Sequence, residues 1–229
     1  MQYSNTPAFI REWIGTLEPL RWADLPPAGT IGVFSADMIN AFVHEGALAS
    51  APVHALIEPV VTLFTNAWAA GVRQFVLLQD THHPEAPEFG AYPPHAIAGT
   101  RESETIPELL ALPFSGSFTV MEKNSLTTSI DTPFDDWLRK NQTVTTAIVV
   151  GDCTDLCTYS LAMYLRQWAN AHNIRDYRVI LPADCVATFD IPASPDLAPG
   201  AAHPGPFFHD VFLYHMAQNG IEVVSTLER

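Results

Sequence analysis

Cysteine is scarce in this chain. The three thiols, Cys153, Cys157 and Cys185, are too few and too unevenly placed for a disulfide framework, and they form no Cys-x-x-Cys pair. Reduced thiols are expected, so one of them is available as a nucleophile. Basic residues are scarce as well: 11 Lys and Arg stand against 25 Asp and Glu, and the formal charge of −14 repels phosphate backbones. Nucleic acid is therefore not an expected partner, and the acidic excess is read as a source of solubility. No stretch approaches the ~18 uninterrupted apolar residues of a membrane span, so a membrane is not expected either. The N-terminal MQYSNTPAFIREW lacks a basic patch followed by an apolar core. Nothing there argues for secretion, and the cytoplasm is the expected compartment. Repeats, low-complexity tracts and linkers are also absent. With 48% apolar content in 229 residues, the chain is expected to form a single domain, 1–229, around one sizeable core.

What is present is an alternation. Short β-rich runs recur at 31–36, 74–78, 118–121, 147–150, 177–181 and 222–224, and helical spacing fills 53–70, 133–140, 154–171 and 207–218. Gly71 and Gly220 stand where helices give way to strands. This order predicts an α/β fold with a mostly parallel sheet covered on both faces. Ligands of such sheets bind outside the carboxyl ends of the strands, where loops and helix N-termini converge. Asp37, Asp80, Lys123 and the run GDCTDLC all fall at such ends. The Pro-rich stretch 191–206 is too long for an ordinary connection, which leaves a lid, a subunit contact or a wrapping loop.

The run QDTHHPEAPEFGAYPPHAIAGT follows the buried strand FVLL and gathers Asp, His and Glu in a loop. Asp80, His82 and His95 are candidate metal ligands, and Glu88 is a possible fourth. Oxygen and imidazole donors suit Zn, Fe or Mn. Such a set leaves coordination positions open, as catalytic sites do. His83 is read as an ordinary surface histidine.

In AIVVGDCTDLCTYSLAMYL a strand passes through Gly151 into a helix, with Thr154 the expected N-cap and Asp155 in the first turn. Cys157 then lies in that turn, where the positive helix end and a nearby cation are expected to lower its pKa and favour the thiolate. Cys153 and Cys185 are read as small apolar fillers. Asp37 follows a buried strand and needs a cation or a proton as partner. Lys123 can supply the cation at the same sheet edge. Taken singly, Asp37 could be a helix cap and Lys123 a solvated lysine. Asp, Lys and Cys at three strand ends form a more specific combination.

These segments resemble the isochorismatase-like cysteine hydrolases: Asp37-x-x-Asn40-Ala41-Phe42, Asp80-x-His82 with Tyr92-Pro93-Pro94-His95 and Gly99-Thr100, Lys123, and Gly151-x-x-Thr154-Asp155-x-Cys157. The Asp–His metal loop is similar to that of nicotinamidases, and CVATFD (185–190) and AHP (202–204) are similar to their plant-type branch. The resemblance implies a three-layer α/β/α fold with a six-stranded sheet, and hydrolysis of nicotinamide to nicotinate and ammonia. It implies Asp37, Lys123 and Cys157 as the triad, and backbone N–H groups of Cys153 and Cys157 as the oxyanion hole. In relatives a non-proline cis peptide shapes that hole; here it would be Asp152–Cys153. A divalent metal, Zn above Fe or Mn, would be held by Asp80, His82, His95 and Glu88 and would orient the pyridine ring. Phe42 and Tyr92 would contact the ring, and the assembly is expected to be a homo-oligomer. The chain departs from the family at Ile39 and Thr158, neither of which removes a reacting group, and at Asp152 and Cys153, near the oxyanion hole, where many relatives have small apolar residues. Two other readings stand beside this one: an amidase for another small amide or carbamoyl compound, and a catalytically silent member kept for binding or assembly.

Overall fold

The structure, a computed structural model, describes residues 6–198 and 200–229; residues 1–5 of the N-terminal stretch and Pro199 of the Pro-rich segment lie outside the described residues. In chain order the elements are α1 (Thr6–Ile14), β1 (Leu20–Arg21), β2 (Ile31–Ala36), α2 (Asn40–Val43), α3 (Ala51–His54), α4 (Ile57–Ala70), β3 (Gln74–Asp80), α5 (Pro107–Leu110), β4 (Thr119–Lys123), α6 (Phe134–Lys140), β5 (Thr146–Asp152), α7 (Cys157–Ala171), β6 (Arg178–Pro182), β7 (Val186–Ala187), α8 (Gly205–Gln218), β8 (Glu222–Val224) and β9 (Leu227–Glu228). Six strands line up as β4-β3-β2-β5-β6-β8, and the two-residue β7 adds a seventh beside the end of β5. All these pairings are parallel. The sheet therefore has the six strands expected and one short addition. A separate parallel pair, β1 with β9, brings the two ends of the described chain together.

The central strands are continuous apolar runs, buried at almost every residue, which is the pattern of a parallel sheet covered on both faces. Alternate side chains feed two cores. Val33, Phe75, Leu77, Ile148 and Val150 pack with Val53 of α3, Val60 and Phe64 of α4 and Leu109 of α5. Phe34, Val76, Leu78, Ala147 and Val149 pack with Phe134 of α6, Leu161 and Leu165 of α7 and Leu213 of α8. The result is the three-layer α/β/α arrangement.

Helix boundaries differ from the sequence reading for local reasons. The expected helix 53–70 is divided into α3 and α4. Pro59 has no N–H to give the carbonyl four residues back, Ala55, and the break falls there. The last helix starts earlier than expected, at Gly205, with Pro206 in its first turn, where a missing N–H costs nothing. The four-residue α2 and α5 are too short to show a period and are not visible in the sequence. Among the described residues no helix is long and apolar enough to cross a membrane.

The strand order reverses between β2 and β5, because β2 continues to β3 on one side while β5 continues to β6 on the other. The connections leaving these two strands diverge and open a crevice at their carboxyl ends. The strands meet tightly there. Gly151 pairs with Ala36 at φ +111°, and a Cβ at 151 would lie 1.9 Å from the Ala36 carbonyl oxygen. Only glycine fits that position.

Candidate active site

Four elements meet at the crevice. Asp37 is the first residue beyond β2, and its left-handed φ of 51° turns the chain so that its side chain lies beneath the crevice. Its Oδ1 accepts a hydrogen bond from the Asp80 backbone N–H at 2.6 Å. Asp80 and Lys123 end β3 and β4 and are register partners, which places their side chains next to each other. Lys123 is fully buried, with Nζ 2.5 Å from Asp80 Oδ1, 2.8 Å from Asp37 Oδ2 and 3.4 Å from the Sγ of Cys157. One ammonium thus joins two carboxylates and the thiol. An oxygen of Asp37 lies within 4.8 Å of that sulfur.

The electrostatics of this cluster follow from burial. Desolvation and the charge of Asp80 push Asp37 up to about 6, against the opposing pull of Lys123. Burial likewise pushes the Cys157 thiol well above its ordinary value, although Lys123 acts to lower it. The expected resting thiolate is therefore corrected: exclusion of water outweighs the cation, and the sulfur rests protonated beside a carboxylate able to accept its proton.

The start of α7 also differs from expectation. Cys157 itself is the first helical residue, and Leu156 occupies the cap position without a side-chain capping bond. Thr154 is not the N-cap. Its hydroxyl meets His209 Nδ1 at 2.9 Å, while the Asp155 carboxylate meets His203 Nε2 at 2.8 Å. The Asp152–Cys153 peptide is cis, as the resemblance implies. The hydrogen bonds of this turn are donated by Thr154, Leu156 and Thr158. The N–H groups of Cys153 and Cys157 have no backbone acceptor among the described residues.

The loop after β3 folds back on itself. His82 N–H donates to Ala96 O and Ala98 N–H to His82 O, both at 2.9 Å, and this bridge returns His95 to the side of His82. His82 Nδ1 lies 3.2 Å from Asn124 Oδ1, and His95 Nδ1 lies 2.9 Å from the Pro93 carbonyl. Both acceptors fix the proton on Nδ1 and leave each Nε2 with a free lone pair. His82 Nε2 is 3.5 Å from Asp80 Oδ2 and 4.0 Å from Glu88 Oε1, and His95 Nε2 is 4.0 Å from Asp80 Oδ2. His82 Nε2, Asp80 Oδ2 and Glu88 Oε1 are buried without a hydrogen-bond partner. Ligand atoms of Asp80, His82 and His95 all lie within 4.8 Å of one another, and with both imidazoles held by second contacts they fit a divalent metal ion; Glu88 stands outside this group, beside His82. His83 is exposed and stands apart, as expected.

A narrow cavity of ≈ 360 Å³, counted with its open mouth, joins the two clusters. Asp80, Glu88 and His95 line one end, and Asp152, Cys153 and Cys157 line the other. Phe42, Tyr92, Leu48, Leu126, Leu156 and Phe189 form the walls. Phe42 packs on His95 with ring centres 5.4 Å apart. Of the candidate site residues, Phe42, Asp80, Glu88, Tyr92, His95, Cys153 and Cys157 line this cavity, while Asp37, Lys123 and His82 contact those that do. The sequence reading missed Leu48, Asn124, Leu126, Leu156 and Phe189, of which only Asn124, next to Lys123, carried a polar signal.

The model of the isochorismatase domain matches residues 32–228. The chain is 30% identical over 221 aligned residues to Nicotinamidase 1 of Arabidopsis thaliana, with 86% of each chain covered. Among solved structures it is similar to a cysteine hydrolase from Pseudomonas syringae pv. phaseolicola 1448A, at TM-score 0.70 and 22% identity over 92% of this chain and 94% of that one. It is also similar to N-carbamoylsarcosine amidase from Thermoplasma acidophilum, at TM-score 0.62 and 25% identity over 85% and 95%. The protein whose strand ends bring a thiol, a lysine and an aspartate together here belongs to the isochorismatase family.

Proposed function

We propose that this amidohydrolase converts nicotinamide to nicotinate and ammonia. The observation that carries the reading is the two-ended cavity: a buried thiol with its carboxylate and ammonium at one end, and three convergent metal-ligating side chains with Glu88 nearby at the other. The Arabidopsis relative's activity supports the choice of substrate. Asp80, His82, His95 and Glu88 would hold the ion, Zn by donor set with Fe or Mn as alternatives, and when bound it supplies a Lewis acid for a ring nitrogen.

The chain's own residues account for the chemistry. Phe42 and Tyr92 flank the flat ring and limit its orientation, so that the carboxamide lies against Cys157. Asp37 accepts the thiol proton as sulfur attacks the carbonyl carbon. Lys123, 3.4 Å from the sulfur, offsets the negative charge that develops there as the proton leaves. The carbonyl oxygen, now negative, is held by the N–H groups of Cys153 and Cys157, each typically contributing about 3 kcal/mol. Asp37 returns the proton to the amide nitrogen, the C–N bond breaks and ammonia leaves a thioester. Water then adds to the thioester with Asp37 again as base, and nicotinate departs as the thiol reforms.

One observation favours a second reading. Asp152 is fully buried, borders the cavity and has an unpartnered Oδ2. Burial, then the charges of Asp37 and Asp80, push its pKa well up, which favours the protonated form, able to donate as well as accept. Such a group suits a small amide or carbamoyl substrate with an additional polar atom. An ammonia-release assay with nicotinamide against a panel of small amides and carbamoyl compounds, with and without chelator, separates the two. The nicotinamidase reading expects nicotinamide to be preferred and its turnover to be lost on chelation. Preference for a carbamoyl compound, with no effect of chelator, would reject it.

A further inference from the structure

Thr154 and Asp155, the residues with side chains suited to cap α7, do not cap it. Both reach instead to a segment more than thirty residues further along the chain. Thr154 N–H donates to Ala187 O at 2.9 Å, its hydroxyl meets His209, and Asp155 meets His203. The turn that carries Cys153 and Cys157 is thus held from outside by the polypeptide between 187 and 209.

His203 is the centre of that hold. Its Nδ1 donates to the Phe189 carbonyl at 2.9 Å, and its Nε2 lies 2.8 Å from Asp155 Oδ2. The ring is stacked on Phe189 at 3.8 Å between centres, with 16° between planes, and on Phe208 at 4.7 Å and 29°. Its backbone exchanges two 2.8 Å hydrogen bonds with Ile191, which close the Pro-rich excursion at its neck. Gly205 completes the neck by donating to Asp190 Oδ1 at 2.8 Å. A Cβ at 205 would lie 2.4 Å from the Phe189 carbonyl oxygen. Phe189, on the other face of this arrangement, forms part of the cavity wall.

We propose that His203 is a positioning residue for amide hydrolysis: through Asp155 it fixes the turn that presents Cys157 and the oxyanion donors, and through its stack it fixes Phe189 against the substrate. Of the three readings of the Pro-rich segment, this makes it a wrapping loop, whose neck is a clasp on the nucleophile turn. CVATFD and AHP are the two halves of that clasp. The inference rests on the amidase reading of the cavity but not on the identity of the amide.

The two contacts can be separated by substitution. His203→Gln keeps an amide N–H₂ near the position of Nε2 and so retains a donor to Asp155, without the ring. His203→Asn keeps one near Nδ1 and loses the reach to Asp155. Asp155→Asn, nearly isosteric, weakens the same link from the other side. The measurements are kcat and KM on whichever amide the wild type turns over best, the melting temperature, and the rate of Cys157 alkylation by iodoacetamide, which needs no substrate. His203→Asn and Asp155→Asn should each lower kcat about tenfold or more. The double variant should be no worse than the poorer single, as expected for residues acting through one contact. His203→Gln should keep kcat within about threefold of wild type and raise KM, because only the Phe189 wall is loosened. Alkylation should follow kcat, changed in the Asn variants and wild-type in His203→Gln. Additive losses in the double variant would overturn the proposal. So would equal loss of kcat in Gln and Asn variants, or a lowered melting temperature with unchanged rates. If no amide is turned over at all, the substrate reading fails, while the alkylation pattern still decides the role of His203.

Discussion

A buried lysine between two carboxylates and a thiol is costly to assemble and sets the chemistry of every neighbour. With water excluded, the Cys157 thiol and the Asp37 carboxyl are both pushed up, and the site rests with the proton on sulfur. In the proposed mechanism, reactivity then depends on transfer of that proton to Asp37 at the moment of attack. Asp37→Asn is the direct test. The amide keeps the shape and can still accept the Asp80 N–H bond, so the fold should be retained. Loss of the base should lower kcat by about 10²–10⁴-fold with little change in KM. Steady-state kinetics on nicotinamide measure both, and a variant within threefold of wild type would remove Asp37 from the proton path. At this scale the sequence is most legible where the residue is polar. Asp37, Lys123, Cys157 and the metal donors stood out because carboxylates, imidazoles and a lysine beside apolar runs demand partners. The walls were not legible: Phe189, Leu126 and Leu156 are unremarkable in a sequence that is 48% apolar, and only tertiary placement brings them to the cavity.

Elements place these residues, and the tightest placement is the contact of β2 with β5. Asp37 leaves one strand and the nucleophile turn leaves the other, and Gly151 lets the two backbones approach. Gly151→Ala puts a methyl group into the Ala36 carbonyl at a positive φ. A cost on the order of 3 kcal/mol or more is expected. Chemical denaturation should show it, together with a loss of activity larger than the loss of folded protein, because the strand ends must separate. Unchanged stability would mean that the strands are not held as tightly as this register requires. The long central strands were readable because continuous β-branched and aromatic runs have few alternatives. The start of α7 was misread for an instructive reason. Thr154 and Asp155 have the composition of a cap, yet both side chains are taken by histidines distant in sequence, and local propensity cannot register such a competitor.

At the scale of the molecule, the doubly wound order creates one crevice, and the sequence places its chemistry there from five segments: the ends of β2, β3, β4 and β5 and the loop that returns His95. That the fold class was legible follows from alternation along the whole chain, which many residues report together. That the cavity's two ends face each other was legible only through resemblance, since spacing alone says nothing about the distance between Cys157 and His95. The central claim is that the sulfur of Cys157, at one end of this cavity, attacks an amide held at the other. Ammonia release from nicotinamide by metal-loaded wild-type protein and by Cys157→Ala, with folding verified for both, tests it most directly. The account predicts turnover by the wild type and a fall of on the order of 10⁴-fold or more in the variant. Turnover by Cys157→Ala within tenfold of the wild type would contradict it.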